Sequence, residues 1–419
     1  MAGAGVLNLP YAVNLSGWSG LALLTLVGVM SCYTGIILVK CMKSSSGEAR
    51  TYQEIGKLAF GKNGYRLTLL FQNLTLFFVA ALFLILAGSN TKTLFDEWIP
   101  KSKQDIKVFI GATAAIIWPV NVILRTMKEI SWIAVAGMMA TFFTVVVICI
   151  YSVREGDPSS PHSIANLQTY PAAFSSFVFA FGGHNVFPAI QETMRHPNEF
   201  NKVMYVSFFL TWLVYLPPCI LGYLYFGSAV QSPILLSIDT GIVTQMATIS
   251  ITLHLWFTIP IINNPLFLYI EDLLNVKPKN HIKRLAIRTT IILVETVVAC
   301  FVPFFPDVTN FIGSTTICAT VFFFPCFFYL KLHWEEISRV EVVGIFGILV
   351  LASLGSVIGL YNSVVQLAFD LGGVVFSPEM WFFWTILACV SFLAVVGIGM
   401  GMWGISAFYR YNDQVYCWN

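Results

Sequence analysis

The chain has 419 residues, of which 57% are apolar and 11% charged, less than half the charged share of an ordinary soluble domain, about 25%. With 36 Phe, 15% aromatic residues and a mean hydropathy of +0.77, it cannot clothe the surface that a soluble globule of this size must expose. This excludes a soluble enzyme and a disordered scaffold, and the near-balance of 23 basic and 21 acidic side chains points to no nucleic-acid partner.

About 20 mostly apolar residues cross a bilayer as a helix. That window predicts an opening fragment near 3–16, then spans near 18–40, 66–88, 107–124 and 130–152. Further spans follow near 168–190, 203–226, 241–270, 285–304, 308–330, 342–362 and 380–407, eleven in all beside the fragment. Continuous apolar runs without period-2 alternation exclude an outer-membrane barrel, and the opening MAGAGVLNLPYAV lacks the basic n-region of a signal peptide. Polar stretches at 41–65, 89–106, 153–167 and 271–284 are too short for a catalytic domain and read as solvated connections. One transmembrane domain over 1–407 and a short tail at 408–419 are therefore expected. The nine Cys show neither metal-ligand spacing nor a disulfide framework.

Charge sets the sidedness. Lys40, Lys43, Arg50, Lys57, Lys62 and Arg66 flank or fill the first turn, and alternate turns add Arg125, Lys128, Arg195, Lys202 and the run from Lys277 to Arg288. With Lys331, Arg339 and Arg410, that face holds 18 of the 23 basic residues. The other face has Lys92, Lys101, Lys103, Lys107 and Arg154, diluted by acidic neighbours. The first turn and the C-terminus are predicted to be cytoplasmic.

Glycine and proline inside hydrocarbon are tolerated where the freed backbone lines a cavity. The opening reads Gly3-Ala-Gly5-Val-Leu-Asn-Leu-Pro10, and the sixth segment reads Phe179-Ala-Phe-Gly182-Gly183-His-Asn-Val-Phe-Pro188. In each, a proline follows the second glycine by five residues: Gly5 to Pro10, Gly183 to Pro188. Either site alone is explained by close helix packing. Interruptions at matching positions of two five-helix halves point instead to an inverted-repeat secondary transporter.

The stretches GAGVLNLPYAVNLSGW and FVFAFGGHNVFPAIQETMRHPNEF resemble the first and sixth helices of the amino acid/auxin permease family, and the similarity covers nearly the whole chain. The resemblance implies an all-α polytopic protein with a five-plus-five inverted repeat like that of the bacterial leucine transporter, helices 1 and 6 discontinuous. The repeats would span about 1–152 and 168–330, with additional helices at about 342–362 and 380–407. It implies alternating-access movement of amino acids driven by H+ or Na+, with no other cofactor and no resident metal. The carboxylate would be held near Gly3, Ala4, Gly5 and Val6, and the amino group near Phe181, Gly182, Gly183 and His184. Family members carry a half-helix ahead of the glycine motif, which here begins two residues into the chain; weak transport is expected of a form without it. The family's membranes include plasma, lysosomal, vacuolar and vesicular ones.

Two further places offer coupling chemistry. Glu295 lies inside the ninth segment, where a carboxylate is costly, and reads either as a proton carrier or as a side chain paired to a neighbouring helix, the pairing being favoured. The eighth segment carries Thr248, Ser250, Thr252, His254, Thr258, Asn263 and Asn264, oxygens of the kind that cage a small cation, Thr258 being the candidate coupling residue. Hydroxyls bonding back to their own helix are the plainer alternative. No H-E-x-x-H or G-x-S-x-G motif is present, so no enzyme is expected. The expected function is secondary transport of small or neutral amino acids across a lipid bilayer; the alternative is an amino-acid-sensing receptor built on the same fold.

Overall fold

A computed structural model describes residues 3–44, 47–96, 98–100, 105–123, 130–277 and 279–370. The expected segment 380–407 and the tail 408–419 lie outside the described residues. A 310 turn at Ala4–Asn8 leads into α1 (Leu9–Ser16), followed by α2 (Gly20–Lys40), the two-residue strands β1 (Lys43–Ser44) and β2 (Gly47–Glu48), and α3 (Tyr52–Leu94). Next come α4 (Ile106–Ile123), α5 (Ile130–Glu155), α6 (Tyr170–Ala180), a 310 turn at His184–Val186, and α7 (Phe187–Thr193). The second half continues with α8 (Phe200–Phe226), α9 (Ile242–Leu273), α10 (His281–Phe301) and α11 (Phe305–Ile312). Two π-turns, Gly313–Ile317 and Ala319–Phe323, join α11 to α12 (Phe324–Leu332), and α13 (Arg339–Asp370) follows.

Among the described residues, 8 segments are long and apolar enough to cross a bilayer. Most of the remaining expected spans are helical too, but each misses one requirement. The α1 helix is short, α4 counts only as a shorter apolar helix, and α10 carries Lys283, Arg284, Arg288 and Glu295. Helices satisfy their own backbone groups where water is absent, and the outer helices turn Val29, Leu70, Phe142, Phe209, Leu293 and Val350 outward, as a lipid-facing surface requires. Among the most enclosed elements are the opening segment, α6, whose residues 172–180 are all buried, and the segment Phe305–Leu332.

The stretch 41–65, expected as a solvated turn, is half helical. Glu54 accepts from the backbone N–H of Arg50 at 2.8 Å and Thr51 at 3.2 Å, which starts a helix at Tyr52. That helix buries Tyr52, Ile55 and Ala59, spaced as one helical face, and Tyr52 donates to the Thr320 carbonyl at 2.6 Å. It breaks at Gly61, whose φ of 65° suits glycine, before the long membrane portion of α3 begins.

Connections sort onto two faces. On one, Tyr33 donates to Glu341 at 3.0 Å and Arg50 pairs with Glu192 at 3.5 Å. On the other, Trp18 N donates to Ser163 O at 3.1 Å, and Asp239 N to Glu155 at 2.8 Å.

Candidate functional site

The interruption of the sixth segment is built from small residues and a shifted backbone. The N–H groups of Phe181 and Gly182 bond back to Phe177 O and Phe179 O, both at 3.1 Å, which closes α6 with a tightened turn. Tyr215 of α8 donates its hydroxyl to Ala180 O at 2.9 Å. Gly183 then runs extended, with φ −177°, a value open to any residue. A Cβ on Gly182 would come within 3.0 Å of Ile317 and 3.1 Å of Phe179 O. The 310 turn at His184–Val186 follows, and Pro188 occupies the first turn of α7, where its missing N–H costs nothing.

The opening segment repeats this shape. Gly3 is extended, with φ −166°, the 310 turn Ala4–Asn8 follows, and Pro10 sits in the first turn of α1. Ala4, Gly5 and Val6 are therefore coiled and buried rather than unwound. A Cβ on Gly5 would lie 3.1 Å from Ala180 Cα, so the opening segment meets α6 at its carbonyl end. Gly3 instead faces α9, where a Cβ would meet His254 Nε2 at 3.8 Å. Of the eight residues expected to bind substrate, Gly3, Gly182 and Gly183 are half-buried and the other five are buried.

Two of the side chains expected near the substrate's amino group turn toward neighbouring helices. The Phe181 ring stacks on Phe208 at 6.0 Å and lies 5.4 Å from Tyr215, which makes it packing for α8. The His184 ring turns toward α2, with Nε2 3.0 Å from Thr34 Oγ1 and 3.1 Å from Ser31 O. Thr34 donates its own hydrogen to Met30 O at 3.0 Å, so His184 Nε2 is the donor to both. A neutral ring then leaves Nδ1 as a bare acceptor, and it has no partner within the protein. Ser31 Oγ, Asn185 Oδ1 and Thr316 Oγ1 are buried and unmatched as well. All of these residues lie in or beside the interruption: Ser31 touches His184, and Thr316 adjoins the Ile317 that packs on Gly182. Each unmatched polar atom costs about 1–3 kcal/mol in a dry interior. Such atoms persist together where something other than the protein meets them.

The hydroxyls of the eighth segment mostly follow the plainer alternative. Thr248, Thr252 and Thr258 donate to the carbonyl four residues earlier, at 2.9, 2.6 and 2.7 Å. Thr258 also lies 3.4 Å from His254 Nδ1, which keeps it close to the Gly3 end of the opening segment. Glu295 is fully buried and bonded to Asn263 Nδ2 at 2.9 Å.

Two networks escaped the sequence reading. Asn8 donates to Ser176 at 3.0 Å and accepts from Ser232, and Ser176 donates onward to Asn310, so one polar chain ties the opening segment to α6 and α11. Arg288, counted there with the cytoplasmic turn, is 2% exposed. It pairs with Glu271 at 2.8 Å and donates to Asn121 O at 3.2 Å, while Arg284 takes the other Glu271 oxygen at 2.7 Å. The spacing Glu271 to Arg288 spans two helices; only Asn8, inside the glycine motif, carried a local signal.

Comparison with known proteins follows the same lines. The family described as transmembrane amino acid transporter protein matches residues 1–365. Amino acid transporter AVT1D of Arabidopsis thaliana is 27% identical over 388 residues, covering 88% of this chain and 68% of its own length. Amino acid transporter AVT1I of the same plant is 28% identical over 379 residues, with coverage of 86% and 91%. Among solved structures, a mutant of the Eremococcus coleocola manganese transporter aligns at a TM-score of 0.59 and 13% identity, over 98% of this chain and 94% of that one. At that identity the likeness is one of fold: the all-α, multi-pass, five-plus-five arrangement.

Proposed function

The chain belongs to the transmembrane amino acid transporter family, and from that premise we propose that it is a secondary active carrier of small or neutral amino acids, driven by a proton or sodium gradient. The observation that carries this reading is the set of unmatched polar atoms around residues 181–186: His184 Nδ1, Asn185 Oδ1, Ser31 Oγ and Thr316 Oγ1. His184 Nδ1 and Asn185 Oδ1 can only accept hydrogen bonds and the two hydroxyls can accept as well, which suits a substrate ammonium beside the carbonyl end of α6. The substrate carboxylate would take the leading N–H groups of the turn, at Gly3, Ala4 and Gly5, at the positive end of the 4–16 segment, the Val6 N–H closing that turn onto Gly3 O at 3.1 Å. Backbone from Phe181, Gly182 and Gly183 would complete the ammonium side. Binding of this kind involves no bond making, and so no catalytic group. His254 faces Gly3 and Thr258 lies beside His254, and in this reading the pair would pass the state of the opening segment to α9. The basic residues gathered on one face support a cytosolic C-terminus in a multi-pass membrane protein.

The test is uptake of a panel of labelled amino acids by purified protein in liposomes, under an inward acid gradient and, separately, an inward sodium gradient. Saturable accumulation of small neutral amino acids that collapses with one of the two gradients is expected. Uptake no faster than in empty liposomes, for every amino acid tried, would refute the reading.

A further inference from the structure

Helices α9 and α10 face each other across two polar rungs. Asn263 and Glu271 lie eight residues apart on α9, Arg288 and Glu295 seven apart on α10, and the pairs are Glu271–Arg288 at 2.8 Å and Asn263–Glu295 at 2.9 Å. Each interval is about two helical turns, so both rungs sit on one contacting stripe. The ionic rung is well supplied with partners, since Arg284 and the Asn121 carbonyl join it.

The second rung has a specific deficit. Asn121 Nδ2 donates to its own helix at Ile117 O, 3.0 Å away, which turns Asn121 Oδ1 toward Asn263. Asn263 Nδ2 lies 3.5 Å from that oxygen and 2.9 Å from Glu295 Oε2, so the amide orientation is set by a backbone carbonyl two links away. Asn263 Oδ1 and Glu295 Oε1 are left, both buried and both without a partner within the protein. An amide oxygen only accepts, and so does an ionised carboxylate, so with Glu295 ionised neither of these buried oxygens can satisfy the other. Leu76 and Phe77 of α3 pack against the same helices beside Leu266, Phe267, Ile291 and Ile292. The charged groups facing this contact from α9 and α10 are Glu271, Arg284 and Arg288, engaged with one another in the ionic rung. A proton on Glu295 supplies the donor this rung lacks, because a carboxylic acid and a primary amide can close a ring of two hydrogen bonds. N–H to O is the bond already seen, and O–H to O joins the two atoms left over.

We propose that Glu295 is the site of the driving proton, held in this conformation as a neutral acid ringed with Asn263 and released in another stage of the transport cycle. The proposal rests on the carrier reading above. On release the Oε1–H bond breaks, the electron pair stays on the carboxylate and the proton passes to water. The ring is then lost, two acceptors oppose each other, and the α9–α10 contact is no longer stable as it stands. Asn263 is nine residues from His254, about 14 Å along the axis of α9, and His254 meets Gly3. A shift of α9 driven at Asn263 therefore reaches the opening segment.

The decisive variant is Glu295→Gln, because a glutamine amide closes the same ring with Asn263 yet cannot give up a proton. In liposomes, acid-driven accumulation is expected to fall at least about tenfold while exchange of labelled for unlabelled substrate stays within about twofold of the parent, and the unfolding temperature is unchanged. Infrared spectra of the parent in heavy water should show a carboxylic-acid C=O band that Glu295→Gln lacks. Accumulation at the parent's level in the variant would make Glu295 a structural partner only and overturn the proposal. So would loss of exchange together with accumulation. A parent without the band, stabilised by sodium where the variant is not, would assign the two oxygens to a metal cation and overturn it too. If the parent moves no amino acid, the carrier reading fails, and the infrared band alone decides whether Glu295 holds a proton.

Discussion

The opening interruption and the sixth share a sequence spacing and a backbone shape, yet their polar groups are met differently. At the opening, Asn8 is bonded to Ser176 and Ser232, and Gly5 lies against Ala180; the turn is fastened to its neighbours. At the sixth, His184 Nδ1, Asn185 Oδ1 and two hydroxyls on adjoining elements are left unmatched. Equal spacing fixes where a helix can break. It does not fix what the polar groups beside the break meet: at the opening the side chain of Asn8 is met by the protein, and at the sixth several polar atoms are not.

Substitutions can widen or erase that contrast. The largest effect is expected from Gly183→Leu, which should lower affinity for the transported amino acid at least hundredfold, about 2.8 kcal/mol. Insertion should be intact because Leu is well accepted in hydrocarbon. Ligand-induced thermal shift on purified protein measures this, with Gly347→Leu as control, since a Cβ at Gly347 meets nothing within 4 Å. Near-parent affinity would take Gly183 out of the site. Next comes Asn8→Ala, which removes the donor to Ser176 and the acceptor for Ser232. It should reduce stability by about 2 kcal/mol while the folded fraction binds normally. Denaturation and binding on one preparation separate the two, and weak binding at full stability would show that the opening is no mere anchor. Smallest is Gly5→Ala, whose Cβ would sit 3.1 Å from Ala180 Cα. Overpacking should cost about 1 kcal/mol in stability, with affinity little changed; a tenfold loss of affinity would put both interruptions on an equal footing.

Membrane spans were legible because hydropathy accumulates over some twenty residues and needs no knowledge of neighbours. The interruptions were legible because Gly and Pro act on their own backbone. Side-chain partnerships were not. Arg288 follows Lys277, Lys279, Lys283 and Arg284 in sequence and looks like the end of a solvated run; what buries it is Glu271 on the preceding helix. Phe181 stands among the residues expected near the substrate's amino group, and only the position of Phe208 and Tyr215 turns its ring into α8. The helix at Tyr52 was lost among polar residues, although the Thr51 and Glu54 pair of a capping box stood at its start. Glu295 was found by its cost alone, and its partner Asn263 by the structure.

The ionic rung between α9 and α10 also bears on how the chain enters the membrane. Arg288 and Glu295 lie in the middle half of α10 and Arg284 in its first turn, and a charged residue at a helix centre disfavours insertion by about 2.5–3.5 kcal/mol on the translocon scale. Alone, α10 is a poor candidate to leave the translocon sideways into lipid. Beside α9 its arginines find Glu271 and its carboxyl finds Asn263, and the charged stripe becomes an internal seam. Entry of α9 and α10 as one hairpin is therefore expected to be favoured over entry of α10 alone.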